Sequence, residues 1–595
     1  MKKGFTLIEM IGVMVILSLL MLFAMPNVIN YIKKGGDTED KIVKTMIYEA
    51  SKQYITDNQK VFKKDNKNAY CISLNTLATE GYIESPIKLS SSDEDITSET
   101  STKAVKVTYD KNYKYELTDE CVGIVNPTPI LYSGLTPVMY DGTNWVVANP
   151  KTDEWYNYDK QMWANAVVLG SGKTKKPGEV VTVEGDAPDA LMMLVWIPRY
   201  EYKIEGTYGT HPDGTEGTME EPGEIKVNFL GTNTTTPTNG YRIHPAFEFG
   251  NSESDIKHLS GMWVGKFELS STSTNTSDDN NLGCNQNGCT GNISNLRILP
   301  NVASLRKNNV SNFWYGIKEI ENTSSFGLTT LDTHMMKNSE WGAVAYLSQS
   351  KYGKYGNTDY NGVQKEIYIN NSSSFYTGRS GGNPGGSNPI NETYTDQTST
   401  TQYNNYGFYT YDGYLLSYNT NNKTETRDIN KGTGASTTGN IYGIYDMSGG
   451  TAEYVMGVYS DGTDIYSGFS ISSNSGFNGK TGENVTLENG LPMPLRKYYD
   501  IYLNPINNSN YDATQSCKIG QIVGICYGHA LSETYGWYND KGSGTNIMVN
   551  SNSPWFLRGG NYFNYNQYYD IGIFNRNEVS GSSFSSTTRV VFSGK

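Results

Sequence analysis

The stretch that decides the fold is Met1-Lys2-Lys3-Gly4-Phe5-Thr6-Leu7-Ile8-Glu9-Met10, together with the apolar run that continues to Met25. Two lysines and a glycine precede Phe5. From there to Met25 the one ionisable residue is Glu9, and Pro26 follows. A run of about 21 residues matches the roughly 20 that a helix needs to cross a bilayer core. A secretory signal peptide would carry a shorter apolar core ending in small residues before its cleavage site. A carboxylate in the apolar zone costs about 2.5–3.5 kcal/mol. Glu9 therefore needs a partner, and its own helix has no cation nearby. Lys2 and Lys3 would hold the leader on the cytoplasmic side.

The uninterrupted Gly4-Phe5-Thr6-Leu7-Ile8-Glu9 resembles the class III leader of type IV prepilins and pseudopilins. The resemblance implies cleavage after Gly4 by a prepilin peptidase, leaving the membrane helix on the mature chain. It also implies N-methylation of Phe5 and an assembly role for Glu9. Pairing Glu9 of one subunit with the Phe5 amine of the next gives a head-to-tail contact. Such a contact, when it does not close on itself, builds a helical filament. The partners implied are other pilin subunits, the peptidase and, before assembly, the membrane.

At 595 residues the chain exceeds one domain. Its net charge of −13 argues against nucleic-acid binding by bulk electrostatics. The six cysteines fall into three neighbourhoods: Cys71 and Cys121, Cys284 and Cys289, Cys517 and Cys526. An even number in an exported chain predicts disulfides. Local pairing asks least of the chain, although sequence alone leaves the connectivity open. Tight Cys-x-x-Cys spacing with added His ligands, as metal binding would need, is not present in the sequence.

Beyond Pro26, apolar residues at spacings of three and four (Val28, Ile29, Ile32, then Ile42, Val43, Met46, Ile47, Ala50, Tyr54) predict helix to about residue 58. Gly35-Gly36 should break it, with Asp37 or Thr38 capping the restart. The whole segment 5–58 reads as the transmembrane and assembly helix that follows a leader of residues 1–4. Residues 59–122 read as a small pilin head. Strands are expected at Ile83, at 105–109 and at 113–117, the last two paired through Asp110-Lys111-Asn112. Pro127, Pro129 and Pro137 mark 123–137 as a linker. Residues 138–595 then form one large domain, with strands expected at 191–197 and 263–269 and a helix over 338–350. The Ser/Thr/Asn/Gly-rich stretches 270–295 and 370–440 read as loops.

Four motifs follow in order: Met262-Trp263-Val264-Gly265-Lys266-Phe267-Glu268; Asn338-Ser339-Glu340-Trp341-Gly342; Gly439-Asn440-Ile441-Tyr442-Gly443-Ile444-Tyr445-Asp446-Met447-Ser448-Gly449-Gly450; and Trp555-Phe556-Leu557-Arg558-Gly559-Gly560, trailed by Arg589-Val590-Val591-Phe592. They resemble the formylglycine-generating-enzyme (sulfatase-modifying factor) family, a variant of the C-type lectin fold. The fold class implied is α+β: a long pilin helix, a small α/β head, and a large lectin-like α+β domain with long loops. Catalytic members of that family use a copper-binding cysteine pair soon after the Arg-Gly-Gly motif. Here the residues after Gly560 are Asn561-Tyr562-Phe563-Asn564-Tyr565-Asn566-Gln567-Tyr568-Tyr569-Asp570, without a cysteine. Thiol chemistry lacks its thiolate there, so no catalytic residues and no cofactor are expected. Structural calcium stays open, since Asp278 and Asp279 sit in no liganding frame.

What remains is display of a binding surface. Of the 28 residues 561–588, five are Asn, four Tyr and five Ser, types that suit paratopes. Lys, Met and Trp are absent, as expected if adenines in Asn codons had been mutated, and only Gln567 and Glu578 depart from that pattern. The segment resembles the variable region of diversity-generating retroelement targets. Candidate contacts are Tyr562, Asn564, Asn566, Tyr568, Tyr569, Asp570, Phe574, Asn575, Arg576 and Asn577. The reading is a minor or tip pilin, first in the inner or cytoplasmic membrane and then at the cell surface. Its C-terminal domain would be extracellular, bind an unidentified ligand there, and make an adhesin. The rivals are a structural pseudopilin of a secretion or DNA-uptake system and, against the missing cysteines, a formylglycine-generating oxidase.

Overall fold

The computed structural model describes residues 36–57, 70–89, 94–98, 101, 103–110, 112–118, 124–125, 128–232, 234–252, 254–272, 282–285, 287–357, 365–370, 372, 375–380, 407–408, 414–419, 424–428, 432–460, 477, 485–488, 491–503, 527–531, 533–539, 549, 553–561, 571–579 and 586–595. The chain divides into two compact units, with the main break between residues 126 and 127 and the short segment Gly231–Thr234 grouped with the first. Both are mixed α+β, and sheet predominates in the larger. No helix among the described residues is long and apolar enough to cross a membrane. The apolar run 5–25, with Gly4, Phe5 and Glu9, lies outside them.

In the first unit, helix α1 (Gly36–Asp57) starts at the second glycine of the expected break. Ile47, Ala50, Ser51, Tyr54 and Ile55 form its buried stripe, the spacing of a helix with one face on a core. That core includes strands β1 (Tyr70–Ser73), β2 (Ala104–Asp110) and β3 (Asn112–Thr118). With β4 (Ile124–Val125) they form one sheet in the order β3-β2-β1-β4. The expected hairpin is present, with Val105 opposite Leu117 and Asp110 opposite Asn112. Tyr48 on α1 accepts a hydrogen bond from the Leu117 N–H at 3.0 Å. Ile83 is not in a strand. It lies just after a turn that follows helix α2 (Leu74–Thr79), where Gly81 adopts φ +77° and the Tyr82 N–H returns to Leu77 O. One buried isoleucine carries no periodicity, so its burial was readable and its backbone was not.

The second unit is built on a seven-stranded sheet. Its strands are β5 (Leu135–Tyr140), β6 (Trp145–Val147), β7 (Asn165–Leu169), β8 (Ala190–Pro198), β9 (Gly261–Gly265), β10 (Leu331–Met335) and, at the far C-terminus, β15 (Val590–Gly594). The order is β10-β15-β9-β8-β7-β5-β6, with every neighbouring pair antiparallel. Almost all of β8 is buried, hence its near-continuous apolar run. β5 begins inside the expected linker, and Ile130 O accepts from Trp263 Nε1 at 2.7 Å. The unit therefore starts before residue 138. β9 ends at Gly265, short of the expected 269.

Helix α3 (Val310–Asn322) precedes β10, and helix α4 (Asn338–Ser348) follows it, buried along its whole length. A Cβ on Gly342 would overlap the Gly528 carbonyl, so glycine is what lets α4 and that backbone meet. A second sheet holds β11 (Ala452–Ser460), β12 (Asp500–Leu503), β13 (Trp555–Gly559) and β14 (Gly572–Val579), in the order β12-β11-β13-β14. Residues 586–588 pair with β11 in parallel. The stretches read as loops are not free of pairing: Tyr414–Asn419 pairs with Thr424–Asp428, and Arg379–Ser380 with Gly407–Phe408. These strands are two to six residues long and sit inside Ser/Thr/Asn/Gly-rich sequence, so the composition of the whole stretch hid them.

Candidate functional site

The four motifs, spread over residues 262–592, meet in one buried region. β9 and β15 lie side by side, with Trp263 opposite Phe592 and Val264 opposite Val591. Arg589, just before β15, is fully buried. Its guanidinium donates to Gly265 O at 2.8 Å and Tyr445 O at 2.9 Å, and it pairs with both carboxylate oxygens of Glu453. Lys266 donates to Asn165 Oδ1 (2.8 Å), Ile441 O (2.6 Å) and Gly443 O (2.8 Å). Burial pushes this amine well below its ordinary range. Three acceptor-only oxygens nevertheless match the three donors of an ammonium, so the geometry holds the proton on. The last motif joins through Gly449 N–H to Gly559 O (2.9 Å), and Trp341 Nε1 donates to Ile573 O (2.9 Å) on the neighbouring strand β14.

Around Arg589 lie three carboxylates. Glu268 accepts from Thr451 N–H at 2.9 Å and from the Ser304 hydroxyl. Asp446, held at φ +62°, accepts from Asn370 Nδ2 at 2.9 Å and Gly378 N–H at 2.8 Å. Glu453 takes the salt bridge. Desolvation raises all three: Glu268 well above the carboxylate range, Asp446 to about 6 and Glu453 to about 7, with Arg589 pulling the last two back down. One guanidinium does not balance three acids, and the cluster retains protons near neutrality. Its members are buried and hydrogen-bonded to one another and to backbone. They tie the motifs together and offer no open reacting position.

A second buried network pins α4 to β10. His334 lies between Asp332 Oδ1 (3.3 Å from Nδ1) and Glu340 Oε1 (3.0 Å from Nε2). Glu340 also accepts from Lys337 N–H at 2.7 Å. Burial alone would lower His334, but the two carboxylates together raise it. His529, by contrast, lies 2.6 Å from the Tyr502 hydroxyl and is driven down to about 4, chiefly by burial. Neither network was legible in the sequence. The two histidines lie on different segments, and each has partners set by tertiary packing.

The expected binding segment is carried by the antiparallel pair β13–β14. Leu557 faces Asn577 and Arg558 faces Arg576, and a register shift then places Gly559 opposite Gly572. The connection 560–571 therefore leaves and returns at partnered positions. Arg558 Nη2 donates to Ala530 O (2.9 Å), Arg576 Nη1 to Leu531 O (3.0 Å), and Ile573 N–H to Glu366 Oε1 (2.9 Å).

Phe574, Asn575 and Arg576 are each 1 % exposed. Phe574 packs against the Trp537 ring, with centroids 5.3 Å apart. These three are corrected from contact residues to residues that hold the strand in place, because a fully buried side chain presents nothing to an outside molecule. Asn577 is partly buried on β14. Tyr562, Asn564, Asn566, Tyr568, Tyr569 and Asp570 lie outside the described residues.

Cys284 and Cys289 form the expected disulfide. Cys71 sits on β1, while Cys121, Cys517 and Cys526 lie outside the described residues, as do Asp278 and Asp279. Among the described residues no group of three or more His, Cys, Asp or Glu is arranged to hold a metal ion.

Residues 1–25 match the family model of the prokaryotic N-terminal methylation motif. No curated protein matches the chain. The match covers the leader and the apolar run, all of it before the first described residue. The N-terminus of this chain is that of a type IV prepilin-like protein.

Proposed function

We propose that the chain is a minor or tip pilin whose second unit is a non-catalytic ligand-binding domain of C-type-lectin type, diversified at its C-terminus and acting as an adhesin. The observation that carries the pilin half is the methylation motif at residues 1–25, with Glu9 as the lone acid of its apolar run. A unit running from residue 127 to 595 on every subunit would crowd a filament, which favours low copy number or a tip position. Three observations support the binding half. The motif residues are spent on internal bonds, no cysteine follows Gly560, and the Tyr- and Asn-rich connection 560–571 runs between partnered strand ends. Mass spectrometry of the mature protein tests the first half: the reading expects N-methylated Phe5 at the terminus, and a chain still starting at Met1 refutes it. Sequencing the final forty or so codons from several isolates tests the second. Substitutions concentrated at adenines within 561–588 are expected, and an invariant segment would return the domain to a purely structural pseudopilin role.

A further inference from the structure

Away from the β13–β14 connection, the second unit carries an open pocket of about 530 Å³ lined on one side by residues of 211–224 and on the other by Lys351, Tyr355, Gly356 and Lys365. This size lies within the roughly 300–1,000 Å³ range of pockets that take small ligands. Its two walls are stapled together. Ile225 N–H donates to Gln349 O (2.8 Å), Gln349 Nε2 to Gly223 O (3.0 Å), and Lys351 N–H to Glu224 Oε1 (3.1 Å). A Cβ on Gly223 would overlap Gly209 and Thr210 backbone, so the first wall is close-packed as well. The site is thus formed before any ligand arrives.

The lining mixes signs. Asp213, Glu221 and Glu224 supply acceptors, and Lys351, Lys365 and His211 supply donors. Tyr355 is in the lining, its hydroxyl 3.1 Å from His211 Nδ1, and Lys365 Nζ donates to Tyr355 O at 2.7 Å. Burial, then the three carboxylates, push Tyr355 up to about 12, so the local field is unfavourable to a further negative charge. A phosphate or carboxylate ligand would face those acids, and a free cation would meet two ammonium groups. A ring of hydroxyls, each both donor and acceptor, fits a wall that carries both acceptors and donors without burying an unpaired charge.

From this geometry we infer that the pocket binds a neutral polyhydroxylated ligand, one saccharide unit of a surface glycan, at a site separate from the C-terminal connection. Full-length protein in detergent would be titrated with glucose, galactose, mannose, N-acetylglucosamine and lactose, and read by saturation-transfer NMR and calorimetry. At least one sugar should bind. Glu221→Ala and Lys351→Ala, both at exposed positions, should each weaken it about tenfold, the usual loss for one hydrogen bond to a charged group. Lys151→Ala, exposed and outside the pocket, should leave it unchanged. Three results would overturn the inference: no sugar binding at all, binding untouched by both pocket variants, or preference for inorganic phosphate or free glycine over every sugar.

Discussion

Arg589→Met tests whether the acid cluster holds the second unit together. The guanidinium is fully buried and makes four polar contacts, two to Glu453 and one each to Gly265 O and Tyr445 O. Methionine keeps much of the volume and removes all four. Glu453 is then left buried beside Glu268 and Asp446 with no cation against it, and breaking one side of such a pair costs about 3–5 kcal/mol. That is a large share of the 5–15 kcal/mol typical of a folded domain. All nine tryptophans belong to the second unit, so their fluorescence during urea unfolding of the full chain reports that unit alone. Adding Glu453→Gln should recover much of the loss, because the stranded charge is gone, and the two changes should be coupled by 2 kcal/mol or more, on the order of buried networks. The single variant's deficit should also shrink as pH falls, since Glu453 can then take up a proton. A loss below about 1 kcal/mol, or a double variant whose losses simply add, would show that the cluster is not the clamp described.

His334 gives a second handle. Its carboxylate neighbours raise it above the ordinary imidazole value, so its contribution is complete below the unfolded pKa near 6.5 and is lost as pH rises through the folded one. His334→Gln should therefore cost most at pH 5.5–6 and progressively less toward pH 9, measured as urea midpoints against the wild type. An unchanging gap would mean that the imidazole is not charged in the native state. Glu9→Ala should abolish incorporation into sheared surface filaments while leaving membrane insertion of the precursor intact; undiminished incorporation would remove the assembly role. Phe574→Ala should destabilise the second unit by about 3–5 kcal/mol, as expected for a buried aromatic. A variant of full stability that loses a ligand would restore Phe574 as a contact residue.

What could be read from the sequence followed how far each signal reaches along the chain. The apolar run behind Gly4, the stripe on α1, the hairpin β2–β3 and the strand β8 are local patterns with a period, and α4 was placed to within two residues of its end. The order of the four motifs was visible, and their convergence gives each a structural partner: Lys266 with 441 and 443, Arg589 with 445 and 453, Gly449 with Gly559. Glu453 itself lies just past the quoted motif, and nothing in its neighbourhood marks it as the counter-ion of a residue 136 positions away. The burial of Phe574, Asn575 and Arg576 was hidden for a different reason. Paratope-like composition extends through 561–588, but composition does not report where a connection ends and the next strand begins.

That boundary has a physical consequence for a segment proposed to vary. Bringing the ends of a loop of about a dozen residues together costs roughly 2 kcal/mol by loop-closure entropy alone. Here the ends are held by groups outside the connection: Gly559 O by Gly449, Arg558 and Arg576 by the carbonyls of Ala530 and Leu531, and Ile573 by both Trp341 and Glu366. None of these bonds draws on a side chain between 562 and 570. Substitutions there leave the closure contacts unchanged, whereas a change at Arg558, Arg576, Glu366 or Trp341 removes a side chain that makes one of them. A binding surface can change sequence on a fold that stays put only if those two sets of residues are separate, and β13–β14 separates them at Gly559 and Gly572.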